Sequence, residues 1–127
     1  MSGVLRAGVD LVSVSRLGNL VREGDPGFTD AVWTATEQRS AAGDPRRLAG
    51  RWGVKEAMMK ALGAGWPDIA WTEIEVVGGP GEQLSVELTG GAASVARGAG
   101  VELWAISVSY EGDLAMAFAV GTGTGAR

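Results

Sequence analysis

The chain has 127 residues, 46% of them hydrophobic and 20% charged, with a formal net charge of −4. That length suits one domain, because two would each fall near the size at which burial barely offsets chain entropy, and the acidic balance argues against nucleic-acid phosphates as the organising partner. Cysteine and histidine are both absent, which excludes disulfides, thiolate chemistry, the usual transition-metal ligand and every His-containing triad, so any chemistry must run on carboxylates, Lys, Arg, Ser, Thr and Tyr.

Val4 to Val12 reads as a strand, with Leu5, Ala7, Val9 and Leu11 on one face, Asp10 on the other, and Gly8 permitting close approach of a backbone or a ligand. Ser15 to Arg22 carries Leu17, Leu20 and Val21 at helical spacing behind a Ser that can cap; Glu23 to Gly27 ends that helix. Thr34 and Glu37 have the spacing of a capping box and predict a short helix. Asp44-Pro45 opens the clearest helix, which runs to about Leu62 before Gly63 and Gly65. Thr72–Val77 and Leu84–Leu88 read as strands joined by the glycine-rich loop Gly78 to Glu82, Gly91 to Ala99 as a weak helix, and Glu102–Tyr110 with Leu114–Val120 as a closing hairpin. Residues 121–127 read as a frayed tail. Helices grouped ahead of paired strands predict a single α+β domain over 1–127, with an antiparallel sheet and a long central helix. The first residues lack a signal-peptide pattern and no apolar run approaches the ~18 residues that span a bilayer, so a soluble, cytoplasmic protein is expected.

The long helix also concentrates charge. Arg46, Arg47, Arg51, Lys55 and Lys60 are accompanied there by a single acid, Glu56. At about 100° per residue, Leu48, Trp52, Met58, Met59 and Leu62 define an apolar arc, and Lys55 falls inside it. Two readings of Lys55 follow: its methylenes cover the core edge while the ammonium reaches water, or it converges with Arg51 and Lys60 on an anionic ligand while Glu56 holds a cation beside it. For Glu56 and Lys60 the plainer reading is an i,i+4 ion pair, and for Asp10 a strand-end carboxylate capping a turn.

Three segments in order, Gly8-Val9-Asp10-Leu11 with Arg16-Leu17, then Arg51-Trp52-Gly53-Val54-Lys55-Glu56-Ala57 running into Lys60-Ala61-Leu62-Gly63-Ala64-Gly65, then Ser107-Val108-Ser109, resemble the holo-acyl carrier protein synthase family of small phosphopantetheinyl transferases. Phe28 and the Thr34-to-Glu37 box resemble its intervening segment. The resemblance implies transfer of 4′-phosphopantetheine from coenzyme A to a serine of an apo acyl carrier protein, with Asp10 and Glu56 as Mg²⁺ ligands and Asp10, Glu56 and Lys60 as the catalytic set. It also implies that Arg51, Lys55, Lys60, Gly63, Gly65, Ser109 and Tyr110 lie around coenzyme A. The helix bearing Arg16, Leu17 and Leu20 would dock the carrier protein, and a homotrimer would place sites between subunits. Tyr110 stands where the family usually has His, which leaves a non-catalytic coenzyme A or carrier-protein binder as the rival reading. A tyrosine hydroxyl can donate to phosphate but lacks the near-neutral titration of imidazole. Whether the carrier serves fatty acid or polyketide synthesis is not legible, because that choice lies in surface complementarity.

Overall fold

Five strands and five helices follow one another as β1 (Val4–Ser13), α1 (Val14–Glu23), α2 (Phe28–Val32), α3 (Ala35–Ala41), α4 (Pro45–Leu62), β2 (Ile74–Val77), β3 (Ser85–Leu88), α5 (Gly90–Gly98), β4 (Leu103–Glu111) and β5 (Leu114–Gly123), in a computed structural model that describes residues 3–79 and 81–125. The strands form an antiparallel sheet in the order β1-β5-β4 and a separate β2-β3 hairpin, so the α+β expectation is met. Helix α4 begins with Asp44 accepting the Arg46 N–H and Pro45 in its first turn, and ends at Gly63 with φ +68°, as its terminal residues predict.

Close contact between α4 and the sheet explains the small residues on both surfaces. The face of β5 turned toward α4 is Ala115, Ala117 and Ala119, all buried. A Cβ on Gly8 would sit 1.9 Å from the Ala57 carbonyl oxygen, and one on Gly53 would meet the Ala117 side chain at 2.9 Å. The close approach expected at Gly8 is therefore that of the α4 backbone. Two core clusters result, one of Val54, Met58, Ile69, Ile74 and Val76 with their neighbours, the other of Leu17, Val32, Trp33 and Leu48 with theirs. Such a helix is buried on most of its circumference, and its apolar arc cannot be read as a simple stripe.

The other side of the sheet is open. Leu5, Val9 and Leu11 of β1 stand exposed beside Leu103, Met116 and Phe118, so the apolar row of β1 lies away from α4 while Gly8 and Val12 face it.

Several boundaries differ from the sequence reading. Trp71–Glu73 forms a 3-10 turn ahead of β2, held by the Ala70 N–H donating to Glu73 Oε1 at 2.9 Å, so the strand begins later than Thr72. Helix α2 carries no start signal in the sequence, because its cap, Gly27, offers no side-chain hydrogen bond. The frayed tail is corrected: β5 continues through Gly123, paired with Val4, because the glycine lets the strand pass the Gly100 carbonyl where a Cβ would lie 1.9 Å from it. Ala126 and Arg127 of that tail, and Pro80 of the β2-β3 loop, lie outside the described residues. No described helix is long and apolar enough to cross a membrane.

Candidate active site

The β1 pleat turns Asp10 toward α4, where Lys60 meets it. The Lys60 ammonium donates to Asp10 Oδ1 at 2.9 Å and to the Val9 carbonyl at 3.0 Å. The Lys60 side chain is 55% exposed and that of Asp10 15%, which leaves the third ammonium hydrogen toward solvent. Glu56, one turn earlier, shares with Lys60 an open depression of about 440 Å³ whose rim includes Gly63, Gly65 and Trp66. Glu56 is not paired to Lys60: its Oε2 accepts the Trp71 indole N–H at 2.7 Å. The expected i,i+4 ion pair is thus replaced by two separate pairings, Lys60 with Asp10 and Trp71 with Glu56.

Lys55 is placed otherwise than either reading expects. It is fully buried, and its three donors go to Glu37 Oε1 at 2.8 Å, the Trp71 carbonyl at 2.9 Å and the Ile74 carbonyl at 2.6 Å. No donor remains for a phosphate and none reaches water, so the assignment of Lys55 to coenzyme A is corrected to an internal tie. Burial draws the ammonium below the usual lysine range, against the opposing pull of Glu37. Glu37 is equally buried; its other oxygen accepts the Val76 N–H at 2.8 Å, while Oε1 also accepts the Thr34 N–H at 2.9 Å. The capping box was legible in the sequence. Its second use, as the counter-charge of Lys55, was not, because nothing in a local spacing reports a partner 18 residues away.

Arg51 belongs to a second cluster. Nine residues at about 100° each separate it from Lys60 by half a turn, so the two face opposite sides of α4. Arg51 is 5% exposed, donates to the Gly78 carbonyl at 2.6 Å and Ser40 Oγ at 3.1 Å, and leaves its Nε–H without an acceptor among the described residues. Burial lowers its pKa, with the charge of Glu37 opposing. It lines a cleft of about 650 Å³ together with Arg47, Gly79, Ser107 and Tyr110. The Tyr110 ring carries the Arg46 guanidinium 4.8 Å from its centroid. Its hydroxyl lies over Gly50, where a Cβ would come within 2.5 Å of it. Desolvation raises the Tyr110 pKa, opposed by Arg51 and Arg46, so the group is a neutral hydrogen-bonding hydroxyl in the physiological range.

Ser109 is not brought to either cluster, because strand alternation turns it to the open face of the sheet, opposite Met116. Of the three α1 residues, Arg16 and Leu20 are exposed, whereas Leu17 is 4% exposed within the core. Leu17 is therefore corrected from a docking residue to a packing one. Arg47, Trp71 and Gly50 escape a sequence reading; of these only Arg47 had a signal, its place in the basic run.

An antiparallel sheet carrying one deeply seated helix, with a carboxylate-lysine pair at the strand-helix contact and a second acid one turn away, defines the class. The chain belongs to the 4′-phosphopantetheinyl transferase superfamily, whose family model matches residues 6–119. It is 37% identical over 127 residues to the holo-[acyl-carrier-protein] synthase of Herpetosiphon aurantiacus, covering 94% of this chain and 100% of that protein. It is 38% identical over 117 residues to the synthase of Frankia casuarinae, covering 92% and 96%. The solved ACPS-CoA complex of Chronobacterium ammoniagenes superposes with a TM-score of 0.79 at 30% identity, covering 93% of this chain and 96% of that one.

Proposed function

We propose that this chain transfers the 4′-phosphopantetheine arm of coenzyme A to a serine of an apo acyl carrier protein, using Mg²⁺ and releasing 3′,5′-ADP. The observation that carries this reading is Lys60 joining Asp10 to the depression that Glu56 also lines, at the glycine-ended terminus of α4. Relatives named for the same reaction and a relative's coenzyme A complex support the substrate pair.

Asp10 and Glu56 would hold the cation. Carboxylate oxygens are the hard donors that Mg²⁺ takes, and a cation completed by water and substrate phosphate oxygens asks for only one or two of them, so the donor chemistry of this pair fits Mg²⁺. When bound, Mg²⁺ offsets negative charge on the diphosphate. The serine Oγ bonds to the β-phosphorus as its proton passes to solvent water, and the bond from that phosphorus to the bridging oxygen breaks, so that this oxygen leaves on 3′,5′-ADP. Lys60 keeps Asp10 in place and offers its remaining N–H to a phosphate oxygen. Arg51, with the Tyr110 hydroxyl and Arg47, forms a donor group for a further phosphate. Gly63 and Gly65 let the arm run close to the backbone. Arg16 and Leu20 present α1 to the carrier protein. Positioning and electrostatics dominate phosphoryl transfer, which accords with a site lacking His and Cys.

The two donor clusters face opposite sides of α4, and among the described residues the open sheet face exposes seven large apolar side chains on β1, β4 and β5, Leu114 among them. Both features support a homotrimer in which neighbouring copies complete each site. Incubation with coenzyme A, Mg²⁺ and apo carriers, followed by weighing of the carrier, tests the activity: a phosphopantetheine mass gain is expected, and none with Asp10→Ala or Glu56→Ala. No gain on any carrier, with coenzyme A still bound, would leave a binding protein only. Mixing Asp10→Ala with Arg51→Ala chains tests the shared site, since a fraction of mixed trimers should regain transfer that neither variant shows alone.

A further inference from the structure

The Trp71 indole stacks with two other rings and makes one hydrogen bond. Its ring lies between Trp66, at 6.2 Å and 8°, and Trp52, at 5.6 Å and 23°. Trp52 in turn packs against Phe28 and Trp33. Its backbone carbonyl accepts the buried Lys55 ammonium. Its N–H has one partner, the Glu56 carboxylate, at 2.7 Å. Trp33 shows how an indole that only needs satisfying is treated in this fold: its N–H donates to the Leu48 backbone carbonyl at 3.1 Å. Trp71 instead spends no bond on the backbone and makes a shorter, charge-assisted one to a single carboxylate oxygen, and among the described residues the other oxygen of Glu56 accepts nothing.

We infer that Trp71 is a positioning residue for Glu56: clamped in the aromatic stack and tied to Lys55, its N–H fixes Oε2 and leaves Oε1 as the oxygen offered to a divalent cation. The inference rests on the reading of Glu56 as a cation ligand. It gives the adjacent Lys55 and Glu56 related roles, since Lys55 holds the main chain of the residue whose side chain orients its neighbour. Partners that orient a ligand in this way change metal affinity about 10- to 100-fold when removed.

The test is Mn²⁺ affinity of the full-length chain with coenzyme A present, read from the electron paramagnetic resonance of the free ion. Trp71→Phe keeps a ring in the stack and deletes the N–H; its Mn²⁺ dissociation constant should rise about 10-fold or more. Trp71→His, which restores a ring N–H, should recover part of the loss and serves as a second variant if the Phe chain folds poorly. Trp33→Phe loses an indole bond elsewhere in the same aromatic group and should lower the melting temperature without moving Mn²⁺ affinity. Wild-type affinity in a folded Trp71→Phe, or an equal loss in Trp33→Phe, overturns the inference. Glu56→Gln separates the two claims: if it too binds Mn²⁺ as the wild type does, the cation-ligand reading itself fails, whereas loss in Glu56→Gln with none in Trp71→Phe removes only the positioning role.

Discussion

Lys55 and Lys60, the two lysines of the chain, sit five residues apart on one helix and have opposite fates. Lys55 points into the junction of α3, α4 and β2, with all three donors satisfied by protein oxygens. Lys60 points toward the end of β1, half exposed, with two donors on Asp10 and Val9. A buried ammonium must be fully partnered by the fold, so it can serve only the fold. A rim ammonium needs less from the fold and keeps a donor for a ligand. Residue type therefore says little about role here; the side of the helix decides.

The sharpest way to break this contrast is Lys55→Met. It leaves the Glu37 carboxylate buried without its counter-charge, and unfolding in urea should show a loss of about 3–5 kcal/mol. A Lys55→Met chain as stable as the wild type would show that the buried pair does not tie the fold together. Lys60→Met should do the reverse. Exposed pairs contribute only about 0–1 kcal/mol, so the melt should barely move, while transfer falls about 100-fold or more as an electrostatic donor is lost; unchanged turnover would remove Lys60 from the site.

A smaller effect concerns the start of α1. The Asp113 carboxylate, in the β4-β5 turn, accepts the Ser15 N–H and the hydroxyls of Ser15 and Ser13. These bonds, Ser15 first, hold its pKa below the ordinary aspartate range. A carboxylate with a depressed folded pKa contributes stability above its unfolded pKa and loses it as pH falls through the folded value. The stability advantage of wild type over Asp113→Asn, measured by denaturant midpoints, should therefore shrink as pH drops below the normal aspartate range. The smallest expected effect lies at Tyr110, where the rate profile should lack a limb near pH 6.5. Tyr110→His should introduce one at about that pH, and a pH-rate profile identical to wild type would place the position outside the site.

Helix α4 was legible at both ends because its signals are local: an Asp cap, a Pro in the first turn and a Gly at the end. The capping box of α3 was legible for the same reason, as were the two hairpins. Asp10, Glu56 and Lys60 stand out in the sequence only through the family resemblance, and their actual partners do not show there at all. Glu56 pairs with Trp71 and not with Lys60, and Lys55 turns inward to Glu37, because each pairing joins residues 15 or more positions apart. The apolar row of β1 could be recognised as a face, but its alternation reads the same whichever side α4 takes.

The amino-acid order alone located most elements to within a few residues, since caps, turns and periodicity act over short distances. It also determined which side chains could do chemistry, by leaving out His and Cys. Only the tertiary structure decided which face of the sheet α4 covers, which lysine is buried and which meets a carboxylate. Those outcomes depend on desolvation and on contacts between distant segments, and neither is defined until the chain has packed.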